Sequence, residues 1–360
     1  MVAEENGRAS TKSQKLGKEN MAVTRASLFS PPPAMVSPIR FSRHDAPQPF
    51  NSNRYSLPRK PLKITAKSEK TQLSNRKTNP RTQTQIESDD DDGGIPMEDI
   101  KIIARFKSRH NYIRVLEVSR RATDHPLAGS RLLLLDAPGN IHSISFLVKS
   151  LTDTYFDVFA TLPPILPASG PVAILGFGAG STARLVLELY PDVIVHGWEL
   201  DPSVIDVGRE FFGLHKLESQ YKDRLFIYIG NALTAAVKDG YSGIFVDLFS
   251  KGSLIPELQD PNTWEMLRRR LTKCGRVMVN VGGSCVEAEN KRRDGKVVME
   301  QTLAAMRTVF GDQLHVLKLG KRSSEDSTLA LTGPLPDRKA WKTAIPHKAL
   351  RHYVDMWVPL

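Results

Sequence analysis

Residues 171–201, PVAILGFGAGSTARLVLELYPDVIVHGWELD, run from a short apolar segment through three glycines and a helical segment to a second apolar segment that ends in acidic residues. The apolar segment Val172–Leu175 has no polar alternation, which is typical of a parallel strand covered on both faces. The glycines allow a tight turn, and Ser181 or Thr182 is expected to cap the following helix. This order of strand, turn, helix and strand predicts half of a nucleotide-binding fold.

The turn and the end of the second strand predict where a nucleoside binds. Gly176, Gly178 and Gly180 directly follow the first strand, where they let a ligand approach the backbone. Glu199 lies about 20 residues beyond the turn, where a carboxylate can accept hydrogen bonds from both ribose hydroxyl groups. We therefore expect a ligand that contains adenosine.

Later residues distinguish between two adenosine-containing ligands. A dinucleotide fingerprint would place Ser181 at its third position, whereas the G-x-G-x-G turn suits S-adenosylmethionine. Asn231 and Ala232 follow the third predicted strand, and the side-chain oxygen of Asn231 can accept a hydrogen bond from the adenine amino group. Asp247 ends the fourth, at the edge where ligands of open α/β sheets collect. This pattern favours S-adenosylmethionine over a dinucleotide; a structural fold without a ligand is the third interpretation.

Strands and helices alternate along the rest of this region. Strands are predicted at residues 224–229, 243–247 and 276–281, helices at 202–212, 232–238, 261–271 and 297–310, and a closing hairpin at 313–319 and 327–332. The alternation predicts an α/β fold with a doubly wound, Rossmann-like sheet and one antiparallel strand at its edge. Residues 151–332 would form this domain. Residues 333–360 are expected to form a loop and a surface helix in which Trp341, Tyr353 and Trp357 pack.

Residues 93–150 have a different pattern, which predicts a small antiparallel β domain. Its strands are expected at residues 101–106, 112–118, 131–136 and 140–148, with a turn at residues 137–140, APGN. Residues 151–162 are predicted as a helix that begins at Thr152 or Asp153. We expect a homodimer to form through this small β domain.

The charge of the chain is concentrated at its N-terminal end. Residues 1–88 carry 16 Lys and Arg against 6 Asp and Glu, whereas residues 93–360 carry 34 and 29. The folded part is therefore only mildly basic, which argues against a nucleic-acid partner. Residues 1–92 have little apolar periodicity and are expected to be a disordered transit peptide and linker. Residues 21–66, basic and rich in Ser and Pro, resemble a plastid transit peptide, with a cytoplasmic location as the alternative.

Two further features exclude other classes of protein. No apolar run approaches the roughly 20 residues that span a bilayer, so no membrane association is expected. Cys274 and Cys285 lack the spacing of a metal site, and we expect two reduced thiols and no metal.

Four motifs together resemble those of the spermidine synthases. ILGFGAG at residues 174–180, WELDP at 198–202, GNA at 230–232 and IFVDLFS at 244–250 occur in the order of that family, and the likeness covers residues 100–332. The resemblance implies the class I methyltransferase fold with a small N-terminal β domain. It also implies that Tyr155, Asp157 and Ser250 contact the substrate, since Tyr155-Phe156-Asp157 stands where the family has Tyr-His-Glu.

Two departures from the family pattern bear on the reaction. Ala179 replaces the aspartate of the family's glycine turn, and Ser250 replaces the second acid after the fourth strand. Aminopropyl transfer to a dicationic amine needs carboxylates to hold the cations and to accept a proton. Ser250 cannot be that base unaided, and loss of a charge-assisted hydrogen bond costs about 1.5–3 kcal/mol. Methyl transfer demands less, because the sulfonium is already activated and alignment supplies much of the rate.

The sequence therefore predicts an S-adenosylmethionine-dependent methyltransferase of unknown small-molecule acceptor, with Asp247 as the catalytic residue beside the sulfonium or the acceptor. One alternative is an aminopropyltransferase of polyamine biosynthesis that uses decarboxylated S-adenosylmethionine and a relocated base, Asp157. A second alternative is a non-catalytic ligand-binding or scaffold protein.

Overall fold

The computed structural model describes residues 95, 97–123, 125–284, 286–290, 292–320 and 327–360. The predicted transit peptide and linker of residues 1–92 lie outside the described residues, as does Cys285. The plastid location therefore stays a prediction.

Two sheets form the described part of the chain. The small sheet consists of β1 (Ile100–Lys107), β2 (Tyr112–Val118), β3 (Ser130–Leu134) and β4 (Ile141–Phe146). The following elements are, in chain order, α1 (Tyr155–Phe159), β5 (Val172–Leu175), α2 (Ser181–Leu189), β6 (Val195–Glu199), α3 (Pro202–Phe211), α4 (Leu214–Gln220), β7 (Leu225–Ile229), β8 (Tyr241–Val246), β9 (Phe249–Ser250), β10 (Ser253–Leu254), α5 (Pro261–Arg269), β11 (Leu271–Gly282), α6 (Gly295–Phe310), β12 (Leu314–Leu319), β13 (Ser327–Thr332), α7 (Arg338–Ala344) and β14 (Val358–Pro359). Single 3₁₀ segments lie at Met97–Asp99, Pro163–Ile165, Ala232–Thr234, Pro256–Gln259 and Lys348–Met356.

The small sheet is antiparallel, as predicted, and its four strands pair in chain order. Ile113 and Leu133 on one face are fully buried in a cluster that includes Val204 of α3. The turn between β1 and β2 is held to the large sheet, because Ser108 Oγ and Asn111 Nδ2 both donate to Asp201 Oδ2, the latter over 2.7 Å. Strand β1 is an edge strand, and the expected homodimer through this sheet stays a prediction.

The large sheet has eight strands in the order β14-β12-β13-β11-β8-β5-β6-β7. The five strands from β11 to β7 are mutually parallel, which confirms the predicted Rossmann-like sheet. The prediction of a single antiparallel strand at the edge is wrong, since β13 lies between β11 and β12 and pairs antiparallel with both. Leu329 and Leu331 of β13 are fully buried, and so is Ala330 between them. An edge position would leave part of this apolar segment exposed.

Three local predictions are also wrong. The helix predicted from residue 151 begins at Tyr155, because the hydroxyl of Thr154 accepts the hydrogen bond from Phe156 N. The helix predicted at residues 232–238 is the single 3₁₀ turn Ala232–Thr234. Ser181 does not cap α2; its hydroxyl exchanges hydrogen bonds of 3.0 Å with the backbone of Ile144 and thereby joins α2 to β4.

The C-terminal residues Trp341, Tyr353 and Trp357 pack in the core cluster that contains Phe156 and Phe159 of α1. Trp341 and Trp357 are buried, and Trp341 Nε1 donates to the backbone oxygen of Thr161 over 2.8 Å. This contact fixes the segment that follows α1 and so helps to position Tyr155. In the described part of the chain, no helix is both long and apolar enough to cross a membrane.

Candidate functional site

A cavity of about 380 Å³ lies at the carboxyl ends of β5, β6 and β8; we call it the glycine-turn cavity. Of the residues predicted to bind the cofactor, those that line it are Gly176, Gly178, Glu199, Asn231, Ala232 and Asp247. The sheet brings these residues together because the carboxyl ends of parallel strands share one edge.

Gly180 does not line this cavity, and its contact with the cofactor stays a prediction. It adopts φ +90° at the start of α2, and a Cβ atom there would lie 3.3 Å from Phe177 and Leu214 side chains. Gly176 also serves packing, since its Cβ would lie 2.1 Å from the backbone oxygen of Asp247. The glycines therefore let neighbouring protein atoms approach as closely as a ligand does.

Glu199 fixes the glycine turn through a hydrogen bond to its backbone. Its Oε2 accepts from Gly178 N over 2.9 Å, and its Oε1 accepts from Asp201 N over 3.0 Å. Burial raises the pKa of Glu199 above its ordinary value, although these backbone hydrogen bonds offset part of the shift. The backbone of Leu200 also contributes a hydrogen bond, but a carboxylate has about four acceptor positions, so it can still accept from a ligand hydroxyl group.

Asn231 is partly used by the protein itself. Its Oδ1 accepts from Leu233 N over 2.9 Å and caps the 3₁₀ turn Ala232–Thr234. That turn places Ala232 and Leu233 in the cavity wall. The predicted adenine contact would have to share Oδ1 with this cap.

Asp247 is surrounded by protein except where it opens into the glycine-turn cavity. Tyr155 OH donates to its Oδ2 over 2.8 Å, and Asn280 Nδ2 donates to its Oδ1 over 3.0 Å. Burial raises the pKa of Asp247 to about 6, against the lowering effect of Tyr155, Asn280 and the nearby His142. A carboxylate that titrates near neutral pH at a cavity wall is typical of a catalytic group.

A second cavity, of about 590 Å³, lies on the other side of these partners; we call it the Tyr155 cavity. Its walls come from the β3–β4 turn, α1, β9 and the segment after β11. Among the lining residues are Pro138, Ile141, Tyr155, Phe156, Phe249, Asn280, Val286 and Glu287. His142 and Phe249 line both cavities, so the two spaces are neighbours. Asp247 lines one cavity while its hydrogen-bond partners Tyr155 and Asn280 line the other.

The roof of the Tyr155 cavity is fastened by a pair of hydrogen bonds. Asn140 Nδ2 donates to the backbone oxygen of Glu287 over 2.8 Å, and Glu287 N donates to Asn140 Oδ1 over 3.0 Å. This Asn140–Glu287 pair joins the turn of the small sheet to the segment after β11.

Two of the predicted substrate residues have other positions than expected. Asp157 is 1% exposed, and its oxygens accept from Thr152 N, Thr152 Oγ1 and Asp153 N over 2.8–2.9 Å. It lines neither of these cavities and shapes the turn before α1. Its role as a relocated base stays a prediction. Ser250 lines the glycine-turn cavity but is exposed in β9.

Ala179 is buried and contacts neither cavity. Its N–H donates to Ser143 Oγ over 2.9 Å, and its side chain packs in the cluster between the small sheet and α3. The loss of a charge at this position therefore says little about the described cavity walls.

Sequence reasoning missed two residues of the site. The sequence analysis assigns no role to His142, yet its Nε2 lies 3.1 Å from Asp136 Oδ2 and its ring lines both cavities. Asn280 was taken only as part of the fifth strand. Its place near the end of a strand that neighbours β8 is the feature that could have indicated it.

The Rossmann-like sheet and the small antiparallel sheet before it together form a spermidine synthase-like fold. A solved spermidine synthase in complex with the transition state analogue AdoDATO superposes with a TM-score of 0.53 at 16% identity, over 72% of this chain and 84% of that chain. A probable spermidine synthase from Corynebacterium glutamicum ATCC 13032 superposes with a TM-score of 0.50 at 16% identity, and the match covers 71% of this chain and 94% of that chain. These likenesses confirm the predicted fold.

The chain is homologous to polyamine aminopropyltransferases. Over 207 residues, or 57% of its length, the chain is 25% identical to a protein from Bifidobacterium longum (strain NCC 2705) named probable polyamine aminopropyl transferase. The match covers 42% of that relative, so the chain spans less than half of its length. No model of a known protein family matches.

This homology corrects the main functional prediction. Methyl transfer was preferred because Ala179 and Ser250 replace acids, but the relative's name points to aminopropyl transfer instead. Neither replacement alters Asp247, the acid that the structure places at the wall between the cavities.

Proposed function

We propose that this protein transfers the aminopropyl group of decarboxylated S-adenosylmethionine to an amine. The observation that carries the proposal is the position of Asp247, which opens into the glycine-turn cavity and is bonded to two residues of the Tyr155 cavity. The homology to polyamine aminopropyltransferases supports the same reaction.

The donor would bind in the glycine-turn cavity. Glu199 would accept from the ribose hydroxyl groups through its remaining lone pairs, and the turn at Asn231 and Ala232 would contact the adenine. The sulfonium would then lie towards Asp247, whose negative charge favours a cation there.

The acceptor would enter through the Tyr155 cavity. Attack by the amine lone pair forms the new C–N bond, and the C–S bond breaks with its electron pair going to sulfur, which leaves a neutral thioether. A cationic amine must first lose one proton, because an ammonium group has no lone pair. The product is a secondary ammonium that keeps the positive charge. Asp247 would stabilise the sulfonium before the attack and the ammonium that forms as the C–N bond is made.

The test is incubation with decarboxylated S-adenosylmethionine and a panel of mono-, di- and triamines, followed by mass spectrometry. We expect release of methylthioadenosine together with an amine enlarged by one aminopropyl group. Asp247→Asn is the control variant, since its amide preserves the shape but not the charge. Binding of the donor without product from any amine would reject the proposal and leave a ligand-binding protein.

A further inference from the structure

A buried carboxylate lies behind the wall shared by the two cavities. Asp136 is 1% exposed, and its Oδ1 accepts from Gly139 N and Asn140 N over 2.8 and 3.1 Å. Its Oδ2 accepts from Asn140 Nδ2 over 2.6 Å. Burial would raise the pKa of Asp136, but the hydrogen bonds from His142, Asn140 and Gly139 outweigh it and lower the pKa. Asp136 is therefore ionised at neutral pH.

The ionised Asp136 determines the tautomer of His142. A carboxylate can only accept hydrogen bonds, so the 3.1 Å contact with Oδ2 requires a proton on His142 Nε2. The lone pair of neutral His142 is consequently on Nδ1. In the described part of the chain Nδ1 has no hydrogen-bond partner, and the ring lines both cavities.

The charged and titratable groups around His142 come from four elements. Asp136 lies in the β3–β4 turn, Tyr155 belongs to α1, Asp247 follows β8 and Glu287 follows β11. Phe249 of β9 meets the imidazole edge to face, with ring centroids 6.5 Å apart.

We propose that His142, oriented by Asp136, accepts the proton that the acceptor amine loses before it attacks the donor. This inference rests on the proposed function and assigns a role to a pair of residues that the argument above did not use. It separates two tasks: Asp247 supplies negative charge beside the cationic donor, and His142 Nδ1 supplies a lone pair that no described group uses.

The proton balance is complete within the site. The acceptor ammonium gives one proton to Nδ1, and His142 becomes an imidazolium held by Asp136. The neutral amine then attacks, and no proton leaves the nitrogen in that step. After product release the imidazolium returns its proton to water.

The test compares His142→Gln with wild type across pH 6.5–9.5, using an amine that the wild type accepts. Glutamine keeps a donor for Asp136, so the fold should persist, and melting temperature and donor affinity by calorimetry check this. At pH 7 we expect kcat/KM to fall by about 10²–10³-fold, the usual contribution of a general base. The loss should shrink as the pH approaches about 10, where an alkylamine is neutral without help.

Two further variants complete the experiment. Asp136→Asn should cause a smaller loss, of about tenfold, with the same pH trend, because Asp136 only orients the imidazole. His215→Gln, an exposed position on α4, should match the wild type. A His142→Gln variant within threefold of wild type at pH 7, or one with an equal loss at every pH, would overturn the role of His142. A wild type that converts no amine would reject the proposed function itself.

Discussion

The glycine-turn cavity is lined mainly by residues that directly follow the strands of one parallel sheet, whereas the Tyr155 cavity is assembled from four distant segments. In the first, Gly176, Glu199 and Asn231 act through the chain's own backbone hydrogen bonds. In the second, Tyr155 and Asn280 both donate hydrogen bonds to Asp247, although they lie 92 and 33 residues from it in the sequence. The donor side therefore depends on the fold as a whole, and the acceptor side depends on a few side chains.

The largest effect is expected at the point where the two cavities meet. Asp247→Asn removes the charge beside the cationic substrates while keeping groups for Tyr155 and Asn280 to contact. We expect kcat/KM to fall by about 10²–10³-fold, as for the loss of one preorganised electrostatic group. Donor affinity, measured by calorimetry, should change much less. If the variant keeps a kcat/KM within tenfold of wild type, the charge of Asp247 does not act on both the donor and the acceptor.

Glu199→Gln tests whether the donor side is separate from the acceptor side. The amide cannot accept from both backbone N–H groups and two ribose hydroxyl groups, and a hydrogen bond to a charged group is worth about 1.5–3 kcal/mol. We expect the donor dissociation constant to rise by about 10–100-fold, with kcat at saturating donor less affected. Glu210→Gln on the exposed face of α3 is the matched control. An unchanged donor affinity would contradict the placement of the ribose.

Tyr155→Phe tests the acceptor side by a single hydroxyl group. The hydrogen bond from Tyr155 lowers the pKa of Asp247, which burial has raised to about 6. Without it the pKa should rise further, so the fall in activity towards acid should begin at a higher pH than in wild type. We expect about a tenfold loss at pH 7 that lessens at pH 8.5. A pH profile that keeps its position would show that this bond does not tune Asp247.

The smallest expected effect concerns stability. Because the pKa of Asp247 is about 6 in the folded chain and 3.8 in its ordinary state, the folded chain binds more protons between these values. The free energy of unfolding therefore loses a contribution from this group as pH rises from about 4 to 6. Asp247→Asn should melt a few degrees above wild type at pH 7.5. The difference in melting temperature should vanish near pH 4. A variant that is less stable than wild type at pH 7.5 would show that the ionised form of Asp247 does not destabilise the folded chain.

The sequence was informative where one segment alone determines the structure. The apolar segment Val172–Leu175, the glycines after it and Glu199 indicated both the sheet edge and the donor side, because strand ends and positive φ leave local patterns. The packing of Gly180 against Phe177 and Leu214 could not be predicted, because the sequence does not distinguish a glycine needed for packing from one that faces a ligand. His142 could not be recognised from the sequence, because only the folded β3–β4 turn brings Asp136 into hydrogen-bond contact with it.

The reaction was misjudged for a related reason. Ala179 stands where the resembling family carries an acid, but only the structure shows that this position is enclosed by α3 and the small sheet. Residue identity alone did not show which positions face a cavity.

The Asn140–Glu287 pair has a consequence for how molecules enter and leave. Its two hydrogen bonds contribute about 1–3 kcal/mol together, and a third bond between the same segments, from Ala137 N to Glu289 Oε1 over 3.0 Å, adds to them. Opening of the Tyr155 cavity on this side requires these bonds to break together. Breathing of this kind would show as rapid amide hydrogen exchange at Glu287 against slow exchange in the neighbouring strand β11.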